Sequence, residues 1–358
     1  MTTKAASPVL TADRSDPLAV LAAGWLSLWG VLALLATITE SGYPLGANNP
    51  GGDGTSLLRL IPVGIAPPLF AVLLFAAAVA ALVMSRPTAG PAAGWRVPLL
   101  SLGWAVAFVL AVVVPDTGVL VILGYTPILL LGAPFGWPDV DYADVFTWAL
   151  FVKVAAMLGG LLLAAAVLRW QRRTAGACAR CGRAGEGDAG WTTPAAAARW
   201  GRWAAYLAAA VPACYAVTRF AWAAGLPFGI SDEMLAELQE SGAIWAGAGL
   251  AAFAMVGAIL TLGLVQRWGE RFPRWMVGLA GRRVPVRLAV VPATVVAVAV
   301  TATSLSTLGS PHFWSLTGGL DAATGPILLF PAWGLALGAA AYAYHLRRRG
   351  ACGRCRRE

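Results

Sequence analysis

Apolar runs of about twenty residues recur along the chain, and no other feature constrains its fold as strongly. An α-helix rises 1.5 Å per residue, so a run of that length crosses the roughly 30 Å hydrocarbon core of a bilayer. Such runs fall near 18–39, 61–84, 97–114, 146–168, 203–224, 243–265, 288–306 and 324–346. With 59% hydrophobic and only 12% charged residues, the apolar positions fill whole segments instead of forming stripes, which excludes a soluble core. The expected fold class is all-α: a polytopic membrane protein with eight transmembrane helices.

A further run, 118–134, is apolar but interrupted by Gly124 and Pro127, and reads as a re-entrant or interfacial segment. Charge placement supports this. With eight spans and a cytoplasmic N-terminus, all but three of the 26 Lys and Arg residues lie inside or at the inner ends of helices, the exceptions being Arg59, Lys153 and Arg219. If 118–134 crossed, the later spans would invert and Arg169, Arg172 and Arg173 would lie outside. Arginine outnumbers lysine 24 to 2 amid abundant alanine and glycine, which points to a GC-rich bacterial genome and hence a bacterial plasma membrane. Because the net charge of +9 is concentrated in short loops beside apolar spans, it is a topology signal and not a nucleic-acid footprint. The expected partners are the bilayer itself and, at RWGERFPRWMVGLAGRRVPVR (267–287), anionic lipids of the inner leaflet.

Two halves can be aligned. GYPLG (42–46) matches GLPFG (225–229), Gly64 matches Gly247, and Arg96-Val97-Pro98 matches Arg283-Val284-Pro285. Gly132, Pro134 and Trp137 match Gly309, Pro311 and Trp314, and Leu168-Arg169 matches Leu346-Arg347, each of the latter followed by a CxxC. Five matches in one order indicate an internal repeat, with about ten extra residues in the first half near 118–134. Four spans per repeat make the repeats parallel, related by a pseudo-two-fold axis along the membrane normal, with a cleft between them as the expected ligand location. The organisation is then a cytoplasmic tail (1–17), a first repeat (18–173), a CxxC linker (174–200), a second repeat (201–349) and a CxxC tail (350–358). The first 17 residues lack the apolar core of a signal peptide.

Cys178 and Cys181, with Cys352 and Cys355, form two CxxC pairs on the expected cytoplasmic side. A reducing cytoplasm disfavours structural disulfides, and two such pairs suit tetrahedral thiolate coordination of Zn²⁺. Arg180, Arg183, Arg354, Arg356 and Arg357 would offset the double negative charge of a Zn(Cys)₄ centre. A redox-active dithiol and four reduced or intermolecular thiols are the other readings. Cys214, within a span, is expected to be a buried small apolar residue.

Lys153 lies inside a span, so it should face the bundle interior, a polar cavity or a carboxylate. Asp116 and Glu40, at the outer ends of the third and first spans, are its candidate partners, and Arg219 and Arg59 complete an expected outer polar cluster able to bind a small-molecule or lipid ligand. The alternative is that Lys153 and Arg219 snorkel to the outer interface as structural pairs. Pro67, Pro68, Pro212 and Pro292 are expected to kink their helices, and SDEMLAELQES (231–241) to form a short outer helix capped by Ser231.

The chain contains no P-loop, zincin, nucleophile-elbow or dinucleotide motif. The spacing of its spans, YPLG and LPFGISDE after the first span of each half, and the closing RRRGACGRC resemble those of uncharacterised actinobacterial multi-span integral membrane proteins with a C-terminal CxxC. The resemblance implies the multi-span fold and no particular activity. Three functional classes follow from the residues: a transporter-like or scaffold module with a zinc clamp, a membrane enzyme acting on a lipid or prenyl substrate through Lys153 with Asp116 or Glu40, and a metal or redox sensor.

Overall fold

The computed structural model describes residues 15–41, 43–48, 56–86, 93–135, 141–183, 190–274, 276–316, 325–350, 352 and 355. The N-terminal tail before residue 15, Gly42, Trp137, Arg354, Arg356 and Arg357 lie outside them. Among the described residues the only β feature is an isolated antiparallel bridge between Arg271 and Arg283, and nine long helices make up the body. These are α1 (Pro17–Thr39), α2 (Ala66–Ser85), α3 (Ala93–Phe108, continued by a π-helical turn Val109–Val113), α4 (Thr117–Gly132), α5 (Trp148–Thr174), α6 (Pro194–Ala223), α7 (Ala243–Gly263), α8 (Val286–Leu308) and α9 (Phe330–Arg348).

Local chemistry sets several of the boundaries. The Asp16 carboxylate accepts the Leu18 N–H (3.1 Å) and Pro17 opens α1, while Glu40 ends it in a left-handed conformation (φ 50°). The Thr147 and Thr193 hydroxyls cap α5 and α6 by accepting from Leu150 N (3.2 Å) and Ala196 N (3.3 Å). Ser231 caps the short helix Asp232–Glu240 through Met234 N (3.2 Å), as expected. Pro212 and Pro292 lie inside α6 and α8, but Pro67 and Pro68 sit in the first turn of α2, where a missing N–H breaks no helical bond and forces no kink.

Eight helices among the described residues are long and apolar enough to cross a membrane. The number agrees with the sequence reading, but the membership differs. The segment 117–135 qualifies, whereas α9 does not, because His345, Arg347 and Arg348 fill its last turn.

The two helices have different packing partners. The face carrying Asp16, Ser85 and Arg169 is the one from which the chain leaves α5 toward Cys178; Asp16 N donates to Ser85 O (3.0 Å) and Arg169 Nη1 to Asp16 Oδ1 (3.0 Å). The side-chain hydrogen bonds that join α4 to other elements lie toward the opposite face. Thr117 Oγ1 meets Thr307 Oγ1 at the end of α8 (3.3 Å), Tyr125 OH donates to Ala246 O in the first turn of α7 (3.4 Å), and Tyr142 OH, shortly before α5, donates to Leu129 O (3.4 Å). Thr117 and Leu129 of α4 thus both find polar partners toward that face, while Val119 packs deeper, with Met157 of α5 and Ala299 of α8. In contrast, α9 lies along α8, with Gly334 against Thr301 and Gly338 against Ala297, and reaches the cysteine face, where Arg347 Nη2 donates to Leu264 O (2.8 Å).

In the first half α1 packs on α2 and α5, and α3 packs on α5; in the second, α6 packs on α7 and α9, and α8 packs on α9. Small residues permit these approaches. A Cβ on Gly160 would lie 2.6 Å from Ala111 N and 2.8 Å from Ala107 O, so α5 runs backbone against backbone with α3 at the π turn. The halves meet where α8 packs on that turn and on α4, through the buried groups Ala111, Val112 and Ala302, and Val119, Met157 and Ala299.

Candidate metal centre and the buried ion pair

The C-terminus of α5 leads directly into the first CxxC. Ala177 N donates to Arg172 O (2.8 Å), Gly182 N to Cys178 O (2.8 Å), and Cys178 N to Arg183 O (3.0 Å), closing a tight knuckle around Cys178 and Cys181. Gly182 sits at φ +77°, and a Cβ there would come within 2.9 Å of Arg172 Nε, so the glycine following the second cysteine is required by the turn. The second pair follows the end of α9. Across the gap, Cys178 Sγ is 3.9 Å from Cys352 Sγ and Cys181 Sγ is 3.6 Å from Cys355 Sγ, and all four sulfurs lie within 4.8 Å of one another. A tetrahedron with metal–sulfur bonds of about 2.3 Å has edges of about 3.8 Å, so the four thiols are positioned to bind one metal ion. Cys352 is buried and the other three are half-buried.

Arginines stitch the two knuckles together. Arg183 Nη1 donates to Gly350 O (3.2 Å), Arg349 Nη1 to Cys181 O (3.5 Å) and Nη2 to Thr192 O (3.2 Å), and Arg172 Nη1 to Arg180 O (3.5 Å). Arg349 was not among the residues expected here, because only the fold carries the ends of α5 and α9 to the same place; Arg172, also not expected, bonds within its own knuckle. Cys178 and Cys181 are electrostatically unequal. Burial would raise the Cys178 thiol, but the backbone N–H groups of Cys181 and Arg180 and the thiols of Cys181 and Cys355 outweigh it and hold Cys178 below the ordinary thiol value. Burial pushes Cys181 up to about 12, reinforced by the thiols of Cys355, Cys178 and Cys352.

Near the opposite face, the π turn delivers Asp116 to the start of α4, where its Oδ1 accepts Gly118 N (3.2 Å) and its Oδ2 pairs with Lys153 Nζ from the second turn of α5. Lys153 is 7% and Asp116 5% exposed, so the pair is removed from solvent. Of the five residues expected to form a polar cluster, the recorded contacts join these two. Arg59 instead donates to Ser56 O (3.2 Å) and Gly309 O (2.9 Å), and Arg219 lies over the Trp222 and Tyr215 rings at 4.1 and 4.9 Å. Glu40 caps α1. The sequence reading missed Thr117 and Thr307, which bond beside Asp116 and link the halves; the hydroxyl-rich run TATSLSTLGS (301–310) was their signal. Cys214, expected to be buried, is exposed on α6.

The fold and these two sites define a helical multi-span membrane protein with a four-cysteine centre able to hold a metal ion. Comparison of the chain with family models, with curated proteins and with solved structures gives no match.

Proposed function

We propose that the chain is a duplicated membrane module, transporter-like or scaffolding, whose two four-helix halves are clamped at the cytoplasmic face by one zinc ion on Cys178, Cys181, Cys352 and Cys355. The observation that carries this reading is the convergence of sulfurs 174 residues apart in sequence to within 3.9 Å. Each cysteine faces its own counterpart in the other half, as residues beside a two-fold axis do. The same helix pairings recur in both halves, which supports the duplication. An all-thiolate, four-ligand set with no open position suits a structural zinc, and such a site contributes folding energy rather than catalysis. Arginines crowding the cysteine face support a cytoplasmic placement in a bacterial plasma membrane.

In this reading the clamp fixes the separation of the halves at one face. At the other, Lys153 of the first half holds Asp116 while the adjacent Thr117 bonds Thr307 of the second. The enzyme reading draws less support, because Asp116 already takes up the Lys153 ammonium and Arg59 and Arg219 turn to other partners. Elemental analysis of purified protein tests the proposal: one zinc per chain is expected, lost on Cys178→Ser and equally on Cys352→Ser. Metal retained by either variant, or a metal-free protein with paired disulfides, would refute the clamp.

A further inference from the structure

The connection between α7 and α8 is a closed hairpin. Phe272 N donates to Arg282 O, Gly281 N to Phe272 O and Val284 N to Glu270 O, each at 3.0 Å, around the Arg271–Arg283 bridge. Gly278 and Gly281, at φ +82° and +73°, turn the chain at the tip. There Val277 is 97% exposed and Leu279 is exposed beside it. Arg267, Arg271, Arg274, Arg282, Arg283 and Arg287 are all exposed around the same hairpin. Its single acid, Glu270, is taken up by Arg347 (2.9 Å), and no carboxylate among the described residues lies within ion-pair reach of the six arginines.

An ordered loop that combines an uncompensated positive charge with an exposed apolar tip has one environment that satisfies both. We propose that this hairpin docks on the membrane surface at the cysteine face, its arginines on the phosphates of anionic phospholipids and Val277 and Leu279 in the interfacial layer. Guanidinium groups bind phosphate in paired hydrogen bonds, and basic segments next to a membrane gain affinity for anionic lipid with each added charge. The position at the mouth of two apolar helices, and the apolar tip, favour a lipid surface over an acidic protein or a nucleic acid, which would bind the arginines without needing Val277. This docking does not depend on the metal centre.

The test uses full-length protein in mixed phosphatidylcholine and phosphatidylglycerol micelles, with retained lipids counted by native mass spectrometry. Wild type should retain phosphatidylglycerol over phosphatidylcholine by at least tenfold, a preference falling about fivefold for each arginine replaced. It should fall steeply in R271Q/R274Q/R282Q/R283Q and shrink at high salt. Val277→Asp, with every arginine kept and the melting temperature unchanged, should lower retention severalfold and covers the case in which the arginine variant fails to insert. Equal lipid selectivity in wild type and the arginine variant, or full retention by Val277→Asp, overturns the proposal.

Discussion

Cys178 and Cys352 bring their sulfurs to 3.9 Å although each follows a different helix and belongs to a different half of the chain. A metal ion on the four thiols therefore closes a loop of 174 residues. By analogy with a covalent cross-link of that span, restricting the unfolded chain is worth about 5 kcal/mol. Chelation should lower the melting temperature of the detergent-solubilised protein while leaving its helical circular dichroism largely intact. An unchanged melting temperature after verified metal removal would show that the halves hold together without the clamp.

The inequality among the thiols makes a separate prediction. In chelator-treated protein at neutral pH, Cys178, held below the ordinary thiol value, presents more thiolate than Cys181, which is pushed up to about 12. Iodoacetamide should label Cys178 ahead of Cys181, as read by peptide mass spectrometry. Raising the pH should narrow the difference, because the Cys181 thiol ionises only as the pH climbs toward its own value. The reverse order would contradict the hydrogen bonding described for the first knuckle.

Gly182→Ala places a side chain in a left-handed conformation at φ +77°. The backbone penalty is about 1–2 kcal/mol, and Arg172, whose flexible end lies 2.9 Å from the new Cβ, can move aside. The expected result is a roughly tenfold weaker metal affinity in competition with a chromophoric chelator, with the membrane helices undisturbed. Wild-type affinity would mean that the knuckle relaxes freely.

Removing one partner of a buried ion pair leaves the other uncompensated, at a cost of about 3–5 kcal/mol. Lys153→Met and Asp116→Asn should each destabilise the protein strongly, and the double variant should be less destabilised than the sum of the two. Thermal melts of all four proteins complete the cycle. Additive losses would indicate that each residue acts with a different partner.

Gly160→Ala tests the backbone contact at the π turn. Its Cβ would meet main-chain atoms of α3 that cannot rotate away, so a loss of about 1–3 kcal/mol is expected in a denaturant or thermal titration. Gly24→Ala, where nothing lies within 4 Å of the added carbon, should be tolerated and serves as the control.

The apolar runs, the bias of arginine to one side and the two CxxC pairs were enough to predict an all-helical multi-span chain and the four cysteines positioned to bind a metal ion. Each of these is a local property. A twenty-residue apolar segment has nowhere to go but a bilayer or a core, and a CxxC forms its knuckle from its own backbone. Tertiary structure decided what α4 packs against, because its apolar composition alone does not reveal Thr307, Ala246 and Tyr142 as its polar partners. It also decided that Asp116, and not Glu40, receives Lys153. The π turn and the packing of α3 on α5 aim that carboxylate, and no spacing within a single helix encodes how two helices meet.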